Sequence, residues 1–239
     1  MVDHVQHHVW FRLRNVSRWF GDQPGVQGVD FTVNSGDTIG LVGPNGSGKT
    51  TLLKLLSGHV PPTAGDLNRR TPEQDQHPIQ QYIGYSGHEL MLYEQLTLEE
   101  NLNFFAGLYN QSDNASRIRD LLDELNLLNR RDARVSELSS GMKKKGSIAR
   151  ALVHHPALLL LDEPFRGVDA GSVRQIKNRL KTFTSAGGTL LLASHDLGKV
   201  YNLCQRVLML KNTEPCFQAD LSDHNEESFR DRYRQVAQS

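Results

Sequence analysis

The chain has 239 residues, with Lys plus Arg and Asp plus Glu each totalling 27 and a formal net charge of zero. That balance lacks the basic excess of a general nucleic-acid coat, and no apolar run approaches the roughly 18 residues that span a bilayer. Two cysteines without metal-like spacing, Cys204 and Cys216, read as reduced thiols, and the length suits one core with room for a small subdomain.

The first eight residues are polar and lack the apolar centre of a secretory signal, so His4, His7 and His8 read as a solvated tail. Val9, Phe11 and Leu13 then alternate with Trp10, Arg12 and Arg14, which predicts a half-buried strand. Val29, Phe31 and Val33 repeat the pattern before a Ser35-Gly36-Asp37 turn. Residues 38–42 are short and apolar, like a strand buried on both faces. A helix is expected from about Lys49, burying Leu52, Leu55 and Leu56 and stopping at Gly58. Pro61, Pro62 and Gly65 open a loop-rich stretch, and 82–85 reads as a strand.

The character then changes. Thr97 with Glu100 forms a capping box before a helix to about Tyr109, and Ile118, Leu121, Leu122 and Leu125 mark a second amphipathic helix. A third is expected from near Ser139 to before Pro156, so that 87–155 reads as an all-helical insert. Strands at 158–161, 189–192 and 207–210 follow, with a helix carrying Val173, Ile176, Leu180 and Phe183 between the first two. The charged stretch from Ser222 reads as a short surface helix or frayed coil. Strand–helix alternation predicts an α/β fold with a mostly parallel sheet and helices on both faces. The expected organisation is a single domain with its core at 9–86 and 156–221, the insert, and a polar tail at 222–239.

Gly43-Pro44-Asn45-Gly46-Ser47-Gly48-Lys49-Thr50 fits the phosphate-loop pattern and lies between a strand and a helix. Glycines let backbone N–H groups turn inward as an anion nest, and the helix N-terminus adds positive potential. Lys49 is placed to reach the β- and γ-phosphates, Thr50 to bind Mg²⁺ and Thr51 to support the α-phosphate. Four leucines lead into Asp162-Glu163-Pro164. A carboxylate ending a buried strand can hold a Mg²⁺-bound water, the task given to Asp162, and Glu163 beside it can orient and deprotonate an attacking water.

Leu138-Ser139-Ser140-Gly141-Met142, followed by a basic helix and Ile148-Ala149-Arg150-Ala151-Leu152, resembles the signature of ABC transporter ATPases, usually Leu-Ser-Gly-Gly-Gln. The resemblance spans about 9–210. It implies a RecA-like P-loop NTPase cassette that hydrolyses ATP with Mg²⁺ and pairs head to tail with a second cassette, each signature facing the other's phosphate loop. Ser139 and the Gly141 N–H would then meet the γ-phosphate. Phe20 matches the adenine-stacking aromatic, with Trp19 an adjacent competitor. Asp169 in Arg166-Gly167-Val168-Asp169 matches the D-loop, and His195 in Ser194-His195-Asp196 the switch histidine. The family implies work on separate membrane subunits at the cytoplasmic face, with no span of its own and no nucleic-acid partner.

Three positions depart from the pattern. Ser86-Gly87-His88 stands where a Q-loop glutamine is usual, and His88 reads either as a substitute metal or water ligand or as an exposed loop histidine. Ser140 replaces a glycine and requires a backbone angle that accepts a side chain; Met142 replaces glutamine. The run from Tyr85 to His88, with Leu92-Tyr93 and Glu100-Asn101-Leu102, is similar to the haem exporter ATPase of cytochrome c maturation. The alternatives are an exporter of a drug, lipid or polysaccharide, a soluble non-transport ATPase of the same family, and a catalytically silent cassette.

Overall fold

Alternating apolar residues at the start of the chain pair into a ladder in the computed structural model, which describes residues 8–72, 77–109 and 114–238. Strand β1 (Val9–Phe20) runs antiparallel to β2 (Gln23–Asn34), with Phe11 and Leu13 opposite Val33 and Phe31. Trp10, expected on the polar face, is 3% exposed, because Tyr82 covers that face at 5.7 Å between ring centroids. His8 is half-buried, its Nε2 3.1 Å from the Arg70 carbonyl oxygen, rather than part of a solvated tail. His4 and His7 lie outside the described residues.

Strand β3 (Thr38–Val42) is buried at every residue and leads into α1 (Lys49–Ser57), which Gly58 ends in a left-handed conformation. The stretch expected as loop contains β4 (Ala64–Arg69), which pairs antiparallel with β1 and completes a three-stranded sheet in the order β2-β1-β4. Its only large apolar residue is Leu67, so its pairing comes from β1 and not from its own alternation.

β5 (Ile83–Ser86) precedes three helices: α2 (Leu98–Leu108), α3 (Ala115–Glu124) and α4 (Ser140–Leu152). Both arms of the Thr97–Glu100 capping box are present, at 3.1 and 2.7 Å. Ser139 caps α4 by accepting from the Met142 N–H at 3.3 Å. After α4 come β6 (Leu158–Asp162), α5 (Ala170–Ser185) and β7 (Thr189–Ala193). Then follow α6 (Leu197–Leu203), β8 (Arg206–Lys211), β9 (Glu214–Asp220) and α7 (Glu226–Gln238). The main sheet has the order β5-β6-β7-β3-β8-β9, parallel except for β9.

Three further elements depart from the expected pattern. β8 is followed by β9, an edge strand on which Pro215 is tolerated. α6, with Asp196 as its N-cap, is too short to show a period. The charged tail is a docked helix: Phe229 is fully buried and stacks on Tyr201 at 6.3 Å. The insert helices share one apolar cluster with the sheet and α5, which includes Leu102, Leu121 and Ile148 of the insert, Leu159 and Leu190 of the sheet, and Ile176 of α5.

Candidate nucleotide site

The loop from β3 to α1 requires glycine at two places. Gly43 (φ 153°) passes so close to the Leu210 carbonyl oxygen that a Cβ would collide with it. Gly48 (φ 102°) is the left-handed N-cap of α1, where a Cβ would lie 2.6 Å from the Gly25 carbonyl oxygen. α1 therefore starts with its free N–H groups facing a cavity of ≈ 300 Å³ lined by Asn45 to Thr51, Phe20, Pro24, Gly25, His88, Asp162, Glu163 and Arg166.

Lys49 is 7% exposed, and its Nζ donates to the carbonyls of Gly43 (2.8 Å) and Pro44 (2.9 Å). An ammonium has three N–H donors, so one stays free for an anion. Burial pulls the Lys49 pKa below its ordinary value, opposed by the charges of Glu163 and Asp162. Ser47 Oγ is buried with no partner among the described residues, an orphan that a phosphate oxygen would satisfy.

Thr50 Oγ1 donates to Asp162 Oδ2 at 2.6 Å, joining two hard oxygen donors, one from the first turn of α1 and one from the end of β6. β7 separates β3 from β6 in the sheet, so the cradle and the acid meet across one intervening strand. Glu163 follows in a left-handed conformation (φ 48°), uncommon for a residue with a side chain. Pro164 disfavours the right-handed helical region for it, and the Glu163 N–H donates to the Ala193 carbonyl at 2.9 Å. Glu163 Oε1 accepts from the His195 backbone N–H at 3.0 Å and lies 2.8 Å from His195 Nδ1. Strain held by such contacts is typical of functional positions.

Of the two candidate aromatics, Phe20 lines the cavity and Trp19 does not. Phe20 is 48% exposed, with the Arg18 guanidinium 4.8 Å from its ring centre. His88 lines the same cavity and is exposed.

The remaining expected residues gather elsewhere. Ser139, Gly141 and Asp169 do not line the phosphate cavity. Asp169 caps α5, accepting from the Ser172 N–H at 2.9 Å; that bond holds its carboxyl below the usual range. A Cβ on Gly141 would lie 3.0 Å from Asp169 Oδ2, so the helix start and this carboxylate are neighbours. Ser140 opens α4 without a positive φ, so the departure from glycine introduces no strain there.

Two residues of this region were not singled out from sequence as site residues. Arg166 lines the phosphate cavity. Lys144, read as part of a basic helix, is buried, and its Nζ donates to the carbonyls of Gly87 (3.2 Å) and Asp162 (3.3 Å). It ties α4 to both the Q-loop and the acid-bearing strand.

Residues 26–166 match the family described as ABC transporter. Nod factor export ATP-binding protein I of Burkholderia lata is 37% identical over 204 residues, covering 83% of this chain and 67% of that protein. Linearmycin resistance ATP-binding protein of Bacillus subtilis is 32% identical over 207 residues, covering 85% and 67%. Among solved structures, an ATP-binding subunit of an ABC transporter superposes with a TM-score of 0.85 at 27% identity, covering 95% of this chain and 99% of that one. A dimeric bacterial ABC transporter cassette gives 0.78 at 25%, covering 88% and 98%. With a phosphate loop, a strand-end acid pair and a signature helix on this fold, the chain belongs to the ABC transporter family as one of its ATP-hydrolysing cassettes.

Proposed function

We propose that the chain is the ATPase of an exporter, closing head to tail with a second cassette around ATP and driving a separate membrane subunit at the cytoplasmic face. The observation that carries this reading is the division of the site. The phosphate cavity is lined by the loop, the acids and Phe20, whereas Ser139, Gly141 and Asp169 form a second cluster off it. Each cluster is one half of a site, and the dimeric cassette similar to this chain supports their meeting across two copies.

In that arrangement Lys49, the loop N–H groups and α1 hold the phosphates. Mg²⁺ fits the donor set, since it binds one or two protein oxygens beside phosphates and water; Thr50 and Asp162 supply those, with His88 beside them. When bound, the ion would neutralise charge developing on the phosphates. Glu163, fixed by His195, would orient the attacking water and take its proton. The serine and N–H groups at the start of α4 in the second copy would bind the terminal phosphate, so hydrolysis would loosen the pair.

The insert over about 87–155 would act as a docking subdomain. Met91, Tyr93, Phe104 and Leu108 are 43%, 51%, 44% and 62% exposed, an apolar rim beside the Q-loop that suits an amphipathic helix. No helix among the described residues is long and apolar enough to cross a membrane.

Two readings of the cargo stand beside each other. Gly87-His88 and its flanking run favour haem. The relatives named for Nod factor export and linearmycin resistance favour a drug, lipid or polysaccharide, and we adopt the second. Affinity capture of the tagged chain from detergent-solubilised membranes of its native host, with mass spectrometry, tests both. An exporter membrane subunit is expected; a haem-exporter subunit would restore the first cargo, and no membrane protein at all would defeat the motor reading.

A further inference from the structure

Phe20 ends β1 and is half exposed at the nucleotide cavity, yet two contacts define where its ring lies. Its Cε2 sits so close to Gly25 that a Cβ there would come within 2.8 Å of it, and the same Cβ would meet Thr51 Cγ2 at 2.8 Å. The ring and Thr51 therefore flank one glycine. That puts the ring at the end of the loop where the α-phosphate is expected, and so where a base would follow.

The second contact is Arg18, two residues earlier on the same strand, whose guanidinium carbon is 4.8 Å from the ring centre. Its Nη1 donates to the Pro61 carbonyl at 3.1 Å, so the cation is itself tied to the chain. No carboxylate forms an ion pair with Arg18 among the described residues. Phe20 lines the cavity and Arg18 does not, which leaves the cavity side of the ring for a ligand. The other rings that carry a cation, Phe31, Phe105, Phe165 and Phe217, do not line this cavity.

We propose that Arg18 is a positioning residue for nucleotide binding, holding the Phe20 ring in the orientation that stacks the base and leaving the phosphates untouched. The inference rests on the reading of Phe20 as the ring that receives the base. A half-exposed phenylalanine at a strand end is free to turn, and ordering it on binding costs affinity on the order of threefold to tenfold. A cation fixed over the ring does that ordering beforehand. It also draws π density towards itself, which leaves the other face a better partner for an electron-rich purine.

The test separates base from phosphate. The full chain is titrated calorimetrically with ADP and with inorganic pyrophosphate, each with Mg²⁺. Arg18→Met should raise the ADP Kd about threefold to fivefold, the scale of one exposed cation–ring contact, and leave the pyrophosphate Kd unchanged. In turnover, KM for ATP should rise by the same factor with kcat unmoved. Arg18→Lys keeps a cation near the ring and should retain most of the affinity. Arg18→Gln keeps a donor for Pro61 without the charge and should bind ADP as weakly as Arg18→Met. In a Phe20→Ala background Arg18→Met should change nothing further. Unchanged ADP affinity in Arg18→Met, equal losses for ADP and pyrophosphate, wild-type affinity in Arg18→Gln, no rescue by Arg18→Lys, or additive losses in the double variant would each overturn the proposal. Phe20→Ala that binds ADP as wild type does would instead defeat the base-stacking reading, a result distinct from all of these.

Discussion

The nucleotide cavity and the groove beside the insert are both polar at their base, yet they treat charge in opposite ways. In the cavity Lys49 is held by two carbonyls, Thr50 by Asp162 and Glu163 by His195, so the machinery is positioned by the chain itself. In the groove the buried Arg150 guanidinium has no carboxylate beside it among the described residues, and the rim is apolar and exposed. On the proposed reading the difference separates chemistry, which must be preorganised, from recognition, which a partner would complete. α4 belongs to both regions: Lys144 on it reaches the acid-bearing strand, and Arg150 on it lines the groove.

The largest expected effect breaks the chemistry of the cavity alone. Glu163→Gln should lower the ATP turnover rate by about 10²- to 10⁴-fold with ATP affinity retained, measured by steady-state hydrolysis and nucleotide titration. Normal turnover would remove Glu163 from the role of base. The contrast between the two cations of α4 comes next. Lys144→Met leaves the carbonyls of Gly87 and Asp162 without their donor and two acids less compensated. A loss of roughly 3 kcal/mol is expected, about 6–12 °C in Tm by calorimetry. A Tm unchanged in Lys144→Met would erase the distinction from Arg150.

The groove should also show its own pH dependence. His154 Nε2 lies 3.2 Å from the Ile83 carbonyl oxygen, and the ring stacks on Tyr109 at 3.8 Å. Its pKa falls from 6.5 to about 4, through burial first and then through the neighbouring charges of Arg150, His155 and Arg117. The unfolded chain takes up this proton below about 6.5 and the folded one does not, so stability is full above that pH. It should decline as pH falls towards 4, by roughly 3 kcal/mol from this group. Denaturant titrations of wild type and His154→Gln across that window should diverge, and parallel curves would contradict the assignment. The smallest effect concerns the rim of the cavity: Phe20→Ala should weaken ATP binding about tenfold, as loss of one base stack does, and Trp19→Ala should leave it nearly unchanged.

Much of the cavity was legible in the sequence because a phosphate loop needs glycines at positions fixed by backbone geometry, as at Gly43 and Gly48. β3 and β6, buried on both faces, and the capped helices α2 and α4 were legible for the same local reasons. β4 and β9 were not, because an edge strand takes its shape from the neighbour it pairs with. Phe229 gave no warning, being one aromatic in a charged stretch whose burial depends on Tyr201 and the sheet. Lys144 lay in a run that reads only as a basic helix, and Arg150 in the motif that follows it, with no sign in either of which charges are buried. Only the packing of α4 against β5 and the strand-end loops buries one of them beside acids and the other beside none.

The most direct test of the account is the molar mass of Glu163→Gln by light scattering, with and without ATP and Mg²⁺. A cassette whose two half-sites meet across copies should be monomeric without nucleotide and twice that mass with it, and Ser139→Glu in the same background should abolish the change. A mass that stays at one chain in saturating ATP would contradict the division of the site on which the proposed function rests.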